Sequence, residues 1–413
     1  MNGSVEAHLR AGRPWAERDF NISPMIVFYE VTRACDLVCL HCRACAQSRP
    51  DPNELTSEQS RQLIDQVARF PVRPMLVLTG GDPLKRGDIY DLIAYSRGQG
   101  LETAITPSPT PLVTTEAITR LQKAGIDRMA VSIDGADAAT HDRMRGVPGS
   151  FAQTQRIMED ARNLGIAVQV NTTLNPDNVD QIEAMAEMLA RHQIALWSVF
   201  FIVPVGRATA GLRLTGLQYE EAFGRLYVQS LCRPYGIKTT EAMHYRRFVA
   251  QKRVQARQSA GSHGAAASPR YLTMGINDGK GVMFVSHTGL IHPSGFMPLV
   301  CGMFPFNDIV DVYQHSPIFR RLRTPDSFEG KCGYCEYRNL CGGSRARAYN
   351  VTGNPYAAEP DCIYTPEPRA SPRRADADIE GPSGAQQPVR GTQRGTPIIT
   401  SVRAALLTNL SNS

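Results

Sequence analysis

Short apolar runs alternate with amphipathic stretches along most of the chain, and the alternation begins at Met25. The runs cover residues 25–31, 75–79, 102–106, 128–133, 166–173 and 195–203. Between them, residues 57–69, 88–97, 115–123, 151–163 and 179–191 carry apolar positions at helical spacing. Six strands alternating with helices predict an α/β fold. The expected sheet is parallel with right-handed crossovers, either a partial barrel or an open doubly wound sheet. Both arrangements gather their chemistry at the carboxyl ends of the strands.

The unusual residues fall at those ends. The first run leads into Cys35, Cys39 and Cys42, and the second ends in Gly80-Gly81-Asp82-Pro83. The third ends in Thr106-Pro107-Ser108, the fourth in Ser132-Ile133-Asp134-Gly135, the fifth carries Asn171 and Thr173, and the sixth meets Gly206-Arg207. Paired glycines admit a ligand close to the backbone, but they also make ordinary turns. Asp82 is equally a helix cap, and Ser132 and Asp134 are equally turn formers.

Three cysteines in one tight loop can hold a four-iron four-sulfur cube and leave one iron unligated, open to a small molecule. His41 stands between two of them, so a Cys-Cys-His-Cys zinc site is the competing reading. Cys45 is a spare ligand or a small buried residue. Near the other end, Cys332, Cys335 and Cys341 form Cys-x2-Cys-x5-Cys, with Cys362 as a distant fourth. Four thiolates can close around a second cluster or a structural zinc. Cys301 lacks companions and reads as a buried thiol.

Composition narrows the class. The chain has 413 residues, enough for two or three domains with a substantial core. Its 45 basic and 39 acidic residues give a net charge of +6 with no basic block. That argues against nucleic acid and weakly for an anionic substrate. No apolar run approaches membrane-spanning length, and Glu6, Arg10 and Arg13 occupy positions where a signal peptide needs apolar residues. A cytoplasmic location is expected, where ten cysteines serve more naturally as metal ligands than as disulfides.

The Cys-x3-Cys-x2-Cys loop, followed by Gly80-Gly81-Asp82-Pro83, resembles the radical S-adenosylmethionine (SAM) enzymes over residues 25–207 and 287–362. The resemblance implies a partial (β/α)6 TIM-like barrel. It also implies a SAM-binding [4Fe-4S] cluster on Cys35, Cys39 and Cys42, and reductive release of a 5′-deoxyadenosyl radical. Gly80, Gly81 and Asp82 occupy the segment that receives the methionine amine, with Asp in place of the usual Glu. Ser132 and Asp134 match positions that touch the ribose, and Asn171 or Thr173 completes that contact. The second cysteine group resembles the SPASM or Twitch auxiliary-cluster domain, with one complete set of four thiols. A flavodoxin- or ferredoxin-type electron donor is implied as partner.

Four segments are similar to the heme-biosynthesis branch, whose members act on propionates of iron porphyrins. They are Cys39-Leu-His-Cys42-Arg-Ala, residues 239–247, residues 293–299, and Cys332 through Arg347. The implied substrate is a tetrapyrrole carboxylate, with a precursor peptide as the alternative and a zinc interaction module as a third class. Candidate carboxylate partners are Arg207, Arg246, Arg247 and Arg145. His244 and Tyr245, or His287 and His292, are candidates for a porphyrin iron or its edge. The expected organisation is an extension (1–24), a barrel (25–235), a connecting region (236–286) with a lid or surface insertion at 250–268, an auxiliary-cluster domain (287–365) and a disordered tail (366–413).

Overall fold

The computed structural model describes residues 18–260 and 275–367. Among them, ten strands make one sheet: β1 Ile26–Thr32, β2 Met75–Gly80, β3 Thr103–Ile105, β4 Arg128–Ser132, β5 Ala167–Leu174, β6 Leu196–Phe201, β7 Gly236–Thr240, β8 Val282–Val285, β9 Leu290–His292 and β10 Gly302–Met303. Their order is β10-β9-β8-β1-β2-β3-β4-β5-β6-β7. β1 to β7 pair in parallel, β8 joins β1 in parallel, and β9 and β10 run antiparallel.

The helices follow the crossovers. They are α1 Ser57–Ala68, α2 Ile89–Gly98, α3 Thr115–Lys123, α4 Ala138–Arg145, α5 Ser150–Asn163, α6 Ile182–Arg191, α7 Gly216–Cys232 and α8 Tyr245–Ala260. α9 Ile309–His315, α10 Pro317–Leu322, α11 Gly330–Tyr334 and α12 Arg345–Thr352 complete the described set. Local chemistry sets their starts. Thr56 with Gln59 and Thr215 with Gln218 form capping boxes that satisfy the first amides of α1 and α7. Asp137 caps α4, and Gly146 ends it in the left-handed conformation.

Apolar residues from both classes of element merge into one core. Val27, Tyr29 and Val31 of β1 and Leu76 and Leu78 of β2 pack with Leu63, Ile64 and Val67 of α1 and Leu92 and Ile93 of α2. Each such side chain contributes about 1.5–3 kcal/mol on burial. A smaller cluster of Val203, Met297, Leu322 and Ala346 seals the C-terminal helices against the end of β6.

The partial barrel is larger than six strands. The connecting region contributes β7, α8 and β8, so it builds the sheet rather than merely linking two parts. Residues 250–260 of the suggested lid continue α8, while 261–268 lie outside the described residues, as do 1–17 of the extension and all but the first two residues of the proposed tail. Among the described residues no helix is long and apolar enough to cross a membrane.

Candidate cluster sites at the barrel mouth and the C-terminal loop

The cysteine loop is held against the strand ends by backbone as much as by side chains. The Gly81 amide donates to Thr32 O at 2.9 Å and the Asp82 amide to Ala34 O at 2.7 Å, so the segment after β2 zips onto the start of the loop. A Cβ on Gly80 would stand 2.1 Å from Thr32 O, and one on Gly81 would stand 2.3 Å from Ala34 O. Both glycines are therefore required by close backbone approach. From the segment after β6, the Arg207 amide donates to Cys42 O at 2.9 Å, while its guanidinium donates to Cys39 O at 2.9 Å and Ala46 O at 3.1 Å.

Cys35 and Cys39 are buried and Cys42 is half-buried, packed among Leu37, Ala46 and Val147. Amide hydrogens already face two of the sulfurs: Leu37 N donates to Cys35 Sγ at 3.4 Å and Ala46 N to Cys42 Sγ at 3.4 Å. Burial pushes the Cys35 and Cys39 thiols up, so thiolate there calls for a positive partner. A zinc ion would draw ligands to within about 2.3 Å, whereas a four-iron cube spreads them around a core several atoms wide. Among the described residues no three His, Cys, Asp or Glu side chains converge on a single-ion position. His41, the would-be zinc ligand, turns its Nε2 toward Asp134 at 3.6 Å instead. Burial lowers its pKa to about 4, so the ring is neutral.

Asp82 is fully buried and occupied. Its Oδ2 accepts from Thr110 Oγ1 at 2.6 Å, and Oδ1 accepts from the amides of Leu84 at 3.2 Å and Ser108 at 3.4 Å. Burial raises its pKa, and its visible work is to cap the short turn at Pro83–Lys85. Asp134 is likewise enclosed. It pairs with Arg145 Nη2 at 2.6 Å and accepts from the Thr173 amide at 2.7 Å. Burial acts to raise its pKa, but Arg145, together with His41, His141 and the Thr173 amide, offsets burial and holds the carboxyl low. Arg145 also reaches Cys39 Sγ at 3.9 Å, so this ion pair braces the cysteine loop. Ser132 and Asn171 pair across β4 and β5 and are both half-exposed; Asn171 Oδ1 accepts from Gln169 Nε2 at 2.7 Å.

A network absent from the sequence-based expectations lies on the other flank of the loop. Glu30, buried in β1, pairs with Arg43 at 3.3 Å and with His287 Nδ1 at 3.1 Å, and His287 Nε2 lies 3.6 Å from Asp51. Burial works to raise the Glu30 carboxyl; Arg43 and His287 reverse that and leave it below its ordinary value. Arg43 in turn sits 4.6 Å over the Phe284 ring. The signal was present, since Glu30 is the single charge inside the apolar run 25–31.

At the second site, Cys332, Cys335, Cys341 and Cys362 line one small cavity together with His244, Arg247 and Lys331. Amides of Glu359 and Gly343 donate to Cys332 and Cys341 Sγ, each at 3.3 Å. Burial pushes the Cys341 thiol up to about 12. Four sulfurs, amide donors and nearby cations form a donor set suited to an anionic iron-sulfur cluster. The same geometry shows where the candidate substrate residues sit. Arg207 clamps the cysteine loop. Arg246 donates to Ile276 O at 2.5 Å and Leu340 O at 3.4 Å, and Arg247 is held by Glu220 and by Gln251 at 2.6 Å. His244 and Tyr245 are 1% and 4% exposed, and His287 is taken by Glu30. His292 is buried beside Phe284. None of these presents a free group at the surface.

Comparison with known proteins agrees with this architecture. Residues 29–189 match the family model described as Radical SAM superfamily. The AdoMet-dependent heme synthase of Nitratidesulfovibrio vulgaris is 39% identical over 378 residues, 89% of this chain and 100% of that protein. That of Oleidesulfovibrio alaskensis is 37% identical over 358 residues, 84% of this chain and 89% of that protein. Among solved structures, Streptococcus suis SuiB bound to S-adenosylmethionine superposes with a TM-score of 0.64 at 17% identity, over 83% of this chain and 78% of that one, a likeness of fold. With a relative matched along its whole length and a three-cysteine loop seated at the mouth of a parallel barrel, the chain belongs to the radical SAM superfamily.

Proposed function

We propose that this enzyme oxidatively decarboxylates propionate side chains of an iron porphyrin, with a SAM-binding [4Fe-4S] cluster on Cys35, Cys39 and Cys42 and a second on Cys332, Cys335, Cys341 and Cys362. The observation that carries the reading is the 39% identity running the full length of a heme synthase. When bound, SAM on a reduced cluster supplies a radical able to take hydrogen from an unactivated carbon, chemistry beyond any side chain. Taking a hydrogen atom from the propionate β carbon and carbon dioxide from its carboxylate leaves a vinyl group and one surplus electron. The second set of thiols would hold the group able to accept it. In this reading residues 287–365 act as a SPASM or Twitch-like region, and a flavodoxin- or ferredoxin-type protein supplies the reducing electron.

The chain's own residues act by holding. Gly80 and Gly81 let β2 close onto the cysteine loop, Arg207 and the Asp134–Arg145 pair fix that loop from the far strands, and Ser132 and Asn171 offer half-exposed polar groups at the mouth for SAM. Asp82 serves this arrangement as a cap, which leaves the methionine amine to backbone carbonyls. The test is an anaerobic incubation with reductant, SAM and iron coproporphyrin, followed by mass analysis. Loss of carbon dioxide from the porphyrin is expected. Cleavage of SAM with the porphyrin unchanged would overturn the substrate assignment, and turnover of a precursor peptide in its place would favour the maturase reading.

A further inference from the structure

His244 is a buried polar group left without a partner. Its residue is 1% exposed, and neither ring nitrogen has a hydrogen-bond partner. Tyr219 and Phe223 cover the ring, with centroids 5.0 and 4.8 Å away. Neighbouring charges are already engaged: Glu359 accepts from Arg347 at 2.8 Å and from the Ser344 amide at 2.6 Å, and Arg247 is held by Glu220. What remains beside His244 is the cavity it lines with the four C-terminal cysteines.

An imidazole in such a place has at least one N–H to satisfy. A neutral imidazole carries one donor and one lone pair. The thiolates already number four, so a fifth ligand is not needed, whereas cluster sulfurs accept hydrogen bonds. We propose that His244 donates an N–H···S hydrogen bond to the cluster held by Cys332, Cys335, Cys341 and Cys362 and raises its reduction potential. The inference rests on the second cluster proposed above. Reduction adds negative charge to the cluster, and a donor dipole aimed at sulfur stabilises the more negative state. His244 follows β7, so this bond runs from the barrel to the C-terminal site, making that cluster a better electron acceptor.

The test uses full-length protein carrying Cys35→Ala, Cys39→Ala and Cys42→Ala, which isolates the second cluster for potentiometric titration by electron paramagnetic resonance. His244→Phe keeps an aromatic ring against Tyr219 and Phe223 but removes the N–H; His244→Gln restores a donor. The Phe variant is expected to shift the reduced-to-oxidised ratio at fixed potential about tenfold toward oxidised, a midpoint about 59 mV lower for one electron. The Gln variant is expected to recover part of that shift. Loss of the cluster from the Phe variant alone, with retention in the Gln variant, also supports the bond. An unchanged midpoint at equal iron and sulfide content overturns it, as does loss from both variants, which assigns His244 a packing role. If the parent holds no more iron than the same protein with Cys332→Ala, the two-cluster reading fails first and takes this proposal with it.

Discussion

At the scale of single residues, the site is built from side chains whose work is positional. Asp82 illustrates this: its carboxylate is surrounded by Thr110 and two amides rather than directed at an open cavity. Asn caps about as well as Asp, whereas Ala forfeits about 1 kcal/mol or more. Asp82→Asn is therefore expected to keep SAM affinity, measured anaerobically by equilibrium binding, while Asp82→Ala weakens it; equal loss in both would show that the charge itself is needed. Arg145→Met leaves Asp134 buried without its cation, at a cost of about 3–5 kcal/mol. A lowered denaturation midpoint with depleted iron is expected; an unchanged midpoint would contradict the bracing role. The residue types and spacing made the cysteines legible from sequence, because thiol chemistry is carried by the motif itself. The arginines were not legible. Whether Arg207 faces a substrate or the carbonyls of Cys39 and Ala46 depends on which distant strand end lies opposite it.

At the scale of elements, legibility followed apolar content. The six leading strands announce themselves as apolar runs, but β7, Gly-Ile-Lys-Thr-Thr, is half polar and earns its place only by pairing with β6. β8 and β9 are four and three residues long, too short to separate from loop by pattern alone. Helix α7 is not among the helices expected from apolar spacing, although its capping box at Thr215 and Gln218 is a readable start. β6 leads to Arg207, which holds the cysteine loop, and its anchor is Trp197, fully buried with Nε1 donating to Thr172 Oγ1 at 2.8 Å. Trp197→Ala is expected to cost about 3–5 kcal/mol. Denaturant unfolding checks it, and a loss below about 1 kcal/mol would mean that β6 is secured elsewhere.

At the scale of the whole molecule, buried polar groups fasten the C-terminal site to the barrel. Arg347, fully buried in α12, pairs with Glu359 at 2.8 Å and Asp361 at 3.0 Å and donates to Ile202 O just beyond β6 at 3.3 Å. Burial would raise Glu359, yet Arg347 holds it at about 2. From the barrel side, Glu241 accepts from Ser344 Oγ at 2.5 Å, and Asp278 accepts from the Ala346 amide at 2.8 Å. Arg347→Met strands two carboxylates beside the loop that carries Cys362, and a loss of about 3–5 kcal/mol is expected. The denaturation midpoint should fall and the iron of the proposed second cluster should be lost selectively; retention of both would separate this network from the proposed metal site. The central claim concerns where hydrogen is taken, and the most direct measurement is the isotope content of recovered 5′-deoxyadenosine after anaerobic turnover of iron coproporphyrin deuterated at the propionate β carbons. Transfer of deuterium into 5′-deoxyadenosine, together with vinyl product, is predicted; unlabelled 5′-deoxyadenosine accompanying the same product would contradict the account.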